Sequence, residues 1–425
     1  MSGAHFSPGS GRPVIPVVPI SAAARPRPAP VDAARVQPPL SLYIHLPWCL
    51  RKCPYCDFNS HVHESGADVP EDAYLAALRA DLESVLPEVW GRRVHSIFIG
   101  GGTPSLFSGA AIERLLSDVR ARLTLAPDCE ITLEANPGAF EAGRYEQYRR
   151  AGVNRLSIGV QSFDDAKLRA LGRVHDGAQA RDAVEAARRA FDNVNLDLMI
   201  GLPGQNADEA GHDIATAVGF APQHLSVYQL TLEPNTVFSK FPPLLPDEDT
   251  LEAIQQRVDE LLNAGGYGHY EVSAYALAGR QCVHNRNYWT FGDYLGIGAG
   301  AHAKVSLPSG IRRSERWRLP ASYMEQAAQG CFVSAERVLT AEDLVFEFML
   351  NALRLCEGFD AALMSERTGV PPAAFEPGLA RARERGLLRV EGGHVRPTQL
   401  GLRFLNDLQA LFLPAGRSER VPLGR

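Results

Sequence analysis

Apolar and polar positions along the chain fall into short runs whose period switches back and forth. "LYIHLP" (42–47) is a brief apolar run and predicts a strand, and "EDAYLAALRADLESVL" (71–86) repeats its apolar residues at helical spacing. The alternation continues with strand "SIFIGGG" (96–102), helix 109–123, strand "EITLEANP" (130–137), helix 141–151 and strand "RLSIGV" (155–160). Helices over 164–171 and 176–190, strand "NLDLMIG" (195–201), helix 206–219 and strand "HLSVYQL" (224–230) complete the run. Near-continuous apolar strands alternating with helices predict a parallel sheet covered on its outer face. About six such units predict an α/β fold, a partial (β/α)6 barrel, with a doubly wound open sheet as the structural rival.

The strand ends carry the glycines and polar residues. The stretch after the first strand holds cysteines, "GGGTPS" ends the second, "EANP" the third, "GVQS" the fourth, "MIGLPG" the fifth, and "LTLEP" follows the sixth. In (β/α) barrels the loops at the carboxyl ends of the strands build the active site, so six separate segments point at one mouth.

Beyond residue 300 the pattern changes to helices near 320–328, 341–356 and 373–386. "LLRVEGGHVRPT" (387–398) then predicts a hairpin turning at Gly392-Gly393, followed by helix "QLGLRFLNDLQALFL". The organisation read from this is a tail over 1–39, a barrel over 40–305, and a smaller helical, winged-helix-like unit over 306–425. The tail holds nine of the chain's 30 prolines and almost no acid, and it predicts disorder. Arg25, Arg27 and Arg35 give it a faint organellar-transit flavour, but its prolines spoil an amphipathic helix.

Composition narrows the function. At 425 residues and a net charge of −6, without a basic block, the chain offers no signal for nucleic acid, and the winged-helix-like unit lacks a dense basic face. No run of 18 or more apolar residues predicts a membrane span, and no apolar stretch follows Met1 to direct secretion. Seven cysteines without paired spacing predict a reduced, cytoplasmic protein.

Three of the seven, Cys49, Cys53 and Cys56, fall in "HLPWCLRKCPYCDFNSH" as C-x3-C-x2-C. A structural zinc site takes four ligands, usually as two close pairs, and no second pair exists here. Their Pro-rich, partly polar loop is not an apolar core face. A [4Fe–4S] cluster fits better, because three thiolates leave one iron open to a further ligand. Cys129, Cys282, Cys331 and Cys356 are scattered and read as ordinary buried thiols.

This triad on the loop after the first barrel strand resembles the radical S-adenosylmethionine (radical SAM) superfamily. The resemblance implies that SAM chelates the open iron and that one electron cleaves it to methionine and a 5′-deoxyadenosyl radical. It places Tyr55 near the adenine and Gly100, Gly101, Gly102 and Thr103 at the SAM amino group. Glycine there also suits close backbone approach to a ligand. Over about residues 40–415 the chain is similar to the oxygen-independent coproporphyrinogen III oxidases and their relatives. That likeness assigns Tyr43, Glu134, Gln161, Arg173 and Asp197 to SAM.

Two features separate the oxidases from their relatives. The oxidases carry a fourth cysteine two positions after the triad, where this chain has Phe58. "HNRNYW" (284–289) resembles the H-N-x-x-Y-W signature of the radical SAM haem chaperones. That signature implies His284 as the haem-binding residue, with Asn285, Tyr288 and Trp289 nearby. Imidazole is a common axial ligand of haem iron, and the two aromatic rings offer flat apolar contact to a porphyrin. The implied function is haem delivery to haem-accepting respiratory proteins, with a small electron donor such as a flavodoxin or ferredoxin and membrane contact only through clients. A coproporphyrinogen III dehydrogenase is the alternative. "GIGAGAH" (296–302) imitates a dinucleotide fingerprint but lacks a βαβ setting. It is expected to line the SAM side of the barrel.

Overall fold

The computed structural model describes residues 37–63, 69–138 and 142–414. The tail read over 1–39 lies outside the described residues except for 37–39, as does residue 141 at the start of one expected helix.

Six parallel strands appear where the pattern places them. They are β1 (Leu40–Leu46), β2 (Arg93–Gly101), β3 (Thr124–Ala135), β4 (Arg155–Gln161), β5 (Val194–Ile200) and β6 (His224–Gln229). Further along come β7 (Gly268–Glu271), β8 (Ala274–Ala276), β9 (Asp293–Ile297), β10 (His302–Leu307), β11 (Gly310–Arg316) and β12 (Val333–Val338). All twelve form one sheet in the order β12-β11-β10-β9-β1-β2-β3-β4-β5-β6-β8-β7. β9 pairs with β1 in parallel, so the parallel block has one strand more than the sequence reading counted. Antiparallel strands extend it at both edges. The division read at 305/306 falls inside β10, and the large sheet runs on to Val338.

The parallel strands alternate strictly between two faces. On β1, Leu42, Ile44 and Leu46 are fully buried beneath the helices, together with Ile97, Ile99, Leu133, Leu156, Ile158 and Leu196 of the neighbouring strands. The opposite face is polar: Ser41 and His45 on β1, Ser96 on β2, Thr132 and Glu134 on β3, Ser157 on β4, Asn195 and Asp197 on β5, and His224 and Ser226 on β6. Register sets these in rows, with Ser41 beside Ser96, Glu134 beside Ser157 and Asp197 beside Ser226. The rows are hydrogen-bonded. Asn195 donates to the Ser157 hydroxyl at 2.7 Å and to Asp197 at 2.8 Å, and its own oxygen accepts from His224 Nδ1 at 2.5 Å. The barrel interior is therefore a polar chamber inside an apolar shell.

A second core, with Phe348 and Phe375 fully buried, sits among the helices after Val338. Ala341–Ala352 forms the first helix there, shorter than the 341–356 expected, and opens with a Thr340 capping box. The expected hairpin is present as Leu388–Glu391 paired with His394–Pro397. Gly392 and Gly393 turn it with φ of 58° and 83°, a backbone that favours glycine. The final helix divides into Gln399–Arg403 and Leu405–Ala410 at Phe404.

β9 is locked beside β1 by a buried charge cluster. Asp293 accepts from Arg92 at 2.9 Å and from Lys304 at 2.9 Å, and all three side chains are almost wholly buried. Burial opposes ionisation of Asp293, but Lys304 and Arg92 outweigh it and hold its carboxyl below the ordinary value. This contribution to stability is present above the unfolded carboxylate pKa, about 3.9, and is lost as pH falls through the depressed folded value. Asp293→Asn leaves two buried cations without a counter-charge and is expected to destabilise the fold by about 3–5 kcal/mol. Equilibrium denaturation checks this, and an unchanged midpoint at neutral pH would contradict it.

Candidate functional site

The cysteine loop leaves β1 at Pro47 and keeps little regular structure. Trp48–Cys49 pairs briefly with His61–Val62, and the rest is fastened by side chains. His45, unassigned in the sequence reading, is the first fastener. Its Nε2 donates to the Asn59 carbonyl at 2.9 Å, so its Nδ1 accepts from the Tyr43 hydroxyl at 2.9 Å. Burial lowers its pKa to about 4 and keeps the ring neutral. Asn59 donates onward to the carbonyls of Ala299 and Arg318, both at 2.9 Å.

Cys49, Cys53 and Cys56 border one cavity at the carboxyl ends of the strands, and each sulfur has a polar neighbour. The Thr103 hydroxyl donates to Cys49 Sγ at 3.4 Å, Arg173 to Cys53 Sγ at 3.7 Å, and Ser60 Oγ lies 3.7 Å from Cys56 Sγ. Asn136 closes the circuit. Its amide donates to Thr103 Oγ1 at 2.9 Å, and its oxygen accepts from Arg173 at 2.7 Å. A continuous hydrogen-bonded path thus runs Cys49–Thr103–Asn136–Arg173–Cys53. Donors aimed at sulfur suit thiolates and tune the metal they hold.

Other details fit an iron–sulfur cluster and a second ligand. Among the described residues no group of three His, Cys, Asp or Glu side chains is placed to hold a single metal ion. Arg173 Nε is buried without a hydrogen-bond partner among the described residues. Gly102 admits no side chain, since a Cβ there would stand 2.5 Å from the Trp48 carbonyl oxygen. Gly101, at φ 121°, would press its Cβ against the His45 ring at 2.6 Å.

Of the residues assigned to SAM, Tyr55, Gly101, Gly102, Thr103, Glu134, Gln161, Arg173 and Asp197 all line this cavity. Tyr43 does not. It borders a second cleft beside the first, together with Tyr288, Tyr294 and Phe58. Gln161 takes φ 66°, an uncommon conformation for a non-glycine residue, at the carboxyl end of β4. Glu134 accepts from the Gly101 amide at 3.1 Å, and its pKa is raised to about 8, first by burial and then by Asp197. Asp197 is likewise raised by burial, against the hydrogen bonds of Asn195, Ser226 and Ser157.

The second cleft encloses about 470 Å³ and shares Gly101, Glu134 and Phe58 with the first. Gly300 and His302 of "GIGAGAH" border this cleft and not the cysteine cavity, a correction to the expectation that they line the SAM side. The reason is the parallel pairing of β9 with β1, which carries the following turn past Tyr43 and His45 to the far side of the cysteine loop.

His284 faces neither cavity. It lies on a short helix, Val283–Trp289, and is 1 % exposed. Its Nδ1 meets the Ser96 hydroxyl at 2.9 Å and its Nε2 the Tyr288 hydroxyl at 3.1 Å. Burial lowers its pKa to about 3. Tyr288 stands edge-on to both His284 and Tyr294. Asn285 is half-buried, and Trp289 turns towards the second core, with Arg354 over its ring at 4.3 Å. Asn136, Ser60 and Asn59 are the site residues that the sequence reading missed, and His45 is the one it left without a role. Asn136 had one available signal, its place in the strand-end segment "EANP".

Comparison with known proteins agrees with this architecture. The Radical SAM superfamily profile matches residues 43–217, and the HemN C-terminal domain profile matches residues 339–404. The heme chaperone HemW of Escherichia coli is 50% identical over 378 residues, covering 88% of this chain and 98% of that protein. The heme chaperone HemW of Haemophilus influenzae is 46% identical over 382 residues, covering 88% of this chain and 98% of its own length. The structure of coproporphyrinogen III oxidase (HemN) from Escherichia coli, a radical SAM enzyme, superposes with a TM-score of 0.75 at 25% identity. That match covers 89% of this chain and 91% of the other.

Two outcomes follow from the geometry. Glu134 is largely protonated at neutral pH, so a ligand that needs its carboxylate must expel a proton below pH 8. SAM affinity is expected to rise between pH 6 and 8 and then level off, and Glu134→Gln to lose this dependence and roughly tenfold in affinity while keeping its iron. Calorimetry in buffers of different ionisation enthalpy reads both, and a flat wild-type profile would refute the assignment. Asn136→Ala frees Arg173 and Thr103 together. Iron loss under air, followed by absorbance, is expected to quicken several-fold, and an unchanged rate would show that the path does not hold the loop.

Proposed function

The chain belongs to the HemW family of radical SAM proteins, and from that membership we infer a cytoplasmic haem chaperone. It binds haem beside a SAM-coordinated [4Fe–4S] cluster and passes the haem to haem-requiring respiratory proteins. The observation that carries the haem reading is the second cleft. Tyr43, Phe58, Tyr288 and Tyr294 give it aromatic walls, and its volume lies within the range of small-molecule sites.

Cys49, Cys53 and Cys56 would hold the cluster, which supplies a one-electron reductant and an open iron when bound. Thr103, Arg173 and Ser60 aim donors at the three sulfurs, and Asn136 fixes two of those donors. Tyr55, Gly102, Glu134, Gln161 and Asp197 shape the remainder of the cavity for SAM. The half-buried carboxyl groups of Glu134 and Asp197 suit the hydrogen-bond donors of SAM, since acceptors sheltered from water are costly to leave unmatched. Arg51 and Lys52 are exposed on the cysteine loop, and they suit the approach of a small acidic electron donor.

Phe58 stands at the cysteine position of the oxidases and borders both cavities. It argues against coproporphyrinogen decarboxylation. His284 enters this reading through Tyr288, whose ring it fixes at the edge of the haem cleft.

The deciding experiment is a haem titration of the anaerobically reconstituted chain, followed in the Soret band. Saturation near one haem per chain, with four irons present, is the expected result. A protein that takes up iron, binds no haem and turns over coproporphyrinogen III would replace the chaperone reading with the oxidase one.

A further inference from the structure

Resting on the assignment of Glu134 and Asp197 to SAM, we propose that Arg155 is a positioning residue for that site: a lone cation on the floor of the polar chamber that holds the two carboxyl groups in the anionic form their ligand requires.

Arg155 opens β4 and is 2% exposed. It shares the interior face of the strand with Ser157, two residues on and about 7 Å away along the chain. Ser157 stands beside Glu134 in register and donates to Asp197 at 3.1 Å, so Arg155 lies one row beneath both acids. Among the described residues its side chain makes no hydrogen bond or ion pair, and its Nε is buried without a partner. Thr132, its register partner on β3, has an equally unpartnered Oγ1. A buried guanidinium kept for the fold is paired, because an unpaired one is costly. Arg316 meets Asp81 at 2.9 Å and Arg92 meets Asp293 at 2.9 Å in this way. Arg155 departs from that pattern. Its charge stays available to groups further off, since a low-dielectric interior screens it weakly.

The chamber offers little else that is charged near neutral pH. Burial lowers the pKa of His45, His224 and His284 and keeps the rings neutral. It raises the hydroxyls of Tyr43, Tyr228, Tyr270 and Tyr288 and pushes the Cys282 thiol up to about 12, so these are neutral as well. Arg173 is committed to Asn136 at 2.7 Å and to the Gly159 carbonyl at 2.8 Å, and Glu271 of β7 is committed to Arg354 at 3.0 Å. What remains is Arg155 beneath Glu134 and Asp197, with Glu130 of β3 on the same floor. Glu130 accepts from the Cys282 thiol at 3.4 Å and from the His284 amide at 3.3 Å, and its charge offsets part of that of Arg155. Burial drives the carboxyls of Glu134 and Asp197 towards the neutral form, and Arg155 opposes it at both. A carboxylate accepts from the ammonium and hydroxyl donors of SAM, whereas a neutral carboxyl must first lose its proton.

The test is the pH profile of SAM affinity for the full chain, anaerobically reconstituted and followed by calorimetry. Arg155→Met removes the cation and is expected to move the midpoint to higher pH, with binding several-fold weaker at about pH 7 and the gap closing towards about pH 9. Glu130→Gln keeps an oxygen for both of its donors and removes the opposing charge. It is expected to move the midpoint to lower pH, with binding a few-fold tighter at about pH 7. A merely structural role would not displace one titration in opposite directions, and iron content equal to wild type in each variant excludes a folding defect. Where Arg155→Met fails to take up iron, the direction of the Glu130→Gln shift decides. The proposal is overturned if either iron-replete variant keeps the wild-type midpoint, or if both move it the same way. Wild-type protein whose SAM affinity is flat with pH would instead overturn the assignment of Glu134 beneath it.

Discussion

The hydrogen-bonded path from Cys49 through Thr103, Asn136 and Arg173 to Cys53 is the constraint on which the site depends. The cysteine loop has almost no regular structure of its own, and three thiols on a loose segment would not keep their spacing. Thr103 follows β2, Asn136 follows β3, and Arg173 follows the helix after β4, so the path ties one loop to three consecutive strand-end segments. Those ends are fixed by the parallel register and by the apolar face beneath the helices. The rigidity of the shell thus reaches two of the sulfurs through three polar side chains.

The polar chamber behind the path has an energetic logic. Asn195 and His224 are buried, Glu134 and Asp197 are half-buried at the cavity wall, and polar groups out of reach of water must pair with one another. Asn195 does most of this by bonding Ser157, Asp197 and His224 together. Among the described residues Glu134 has only the Gly101 amide as a hydrogen-bonded partner, and burial first, then the neighbouring Asp197, raises its pKa to about 8. An under-satisfied acid beside a cavity is a group waiting for a ligand.

Much of this was readable from the chain. The six parallel strands, the convergence of their ends and the cysteine triad follow from apolar runs bounded by glycines and polar residues. The glycine hairpin near the end is equally plain. Other features depend on partners far apart in sequence. The first half of β3 contains Pro127 and Asp128, which interrupt the apolar run. "DYLGI" reads poorly as a buried strand because Asp293 tolerates burial only through Arg92 and Lys304. Without β9, the placement of Gly300 and His302 cannot be seen. His284 stands out in sequence beside Tyr288 and Trp289, but its enclosure by Ser96 depends on a strand almost two hundred residues away. Asn136 is overshadowed by Glu134, since a charge draws attention where an amide does not.

The wall between the two clefts consists of Gly101, Glu134 and Phe58. One carboxyl group therefore borders two chambers, and its protonation and orientation are common to both. A ligand in either chamber that alters this carboxyl would change the free energy of filling the other, and by thermodynamic reciprocity the two changes would be equal.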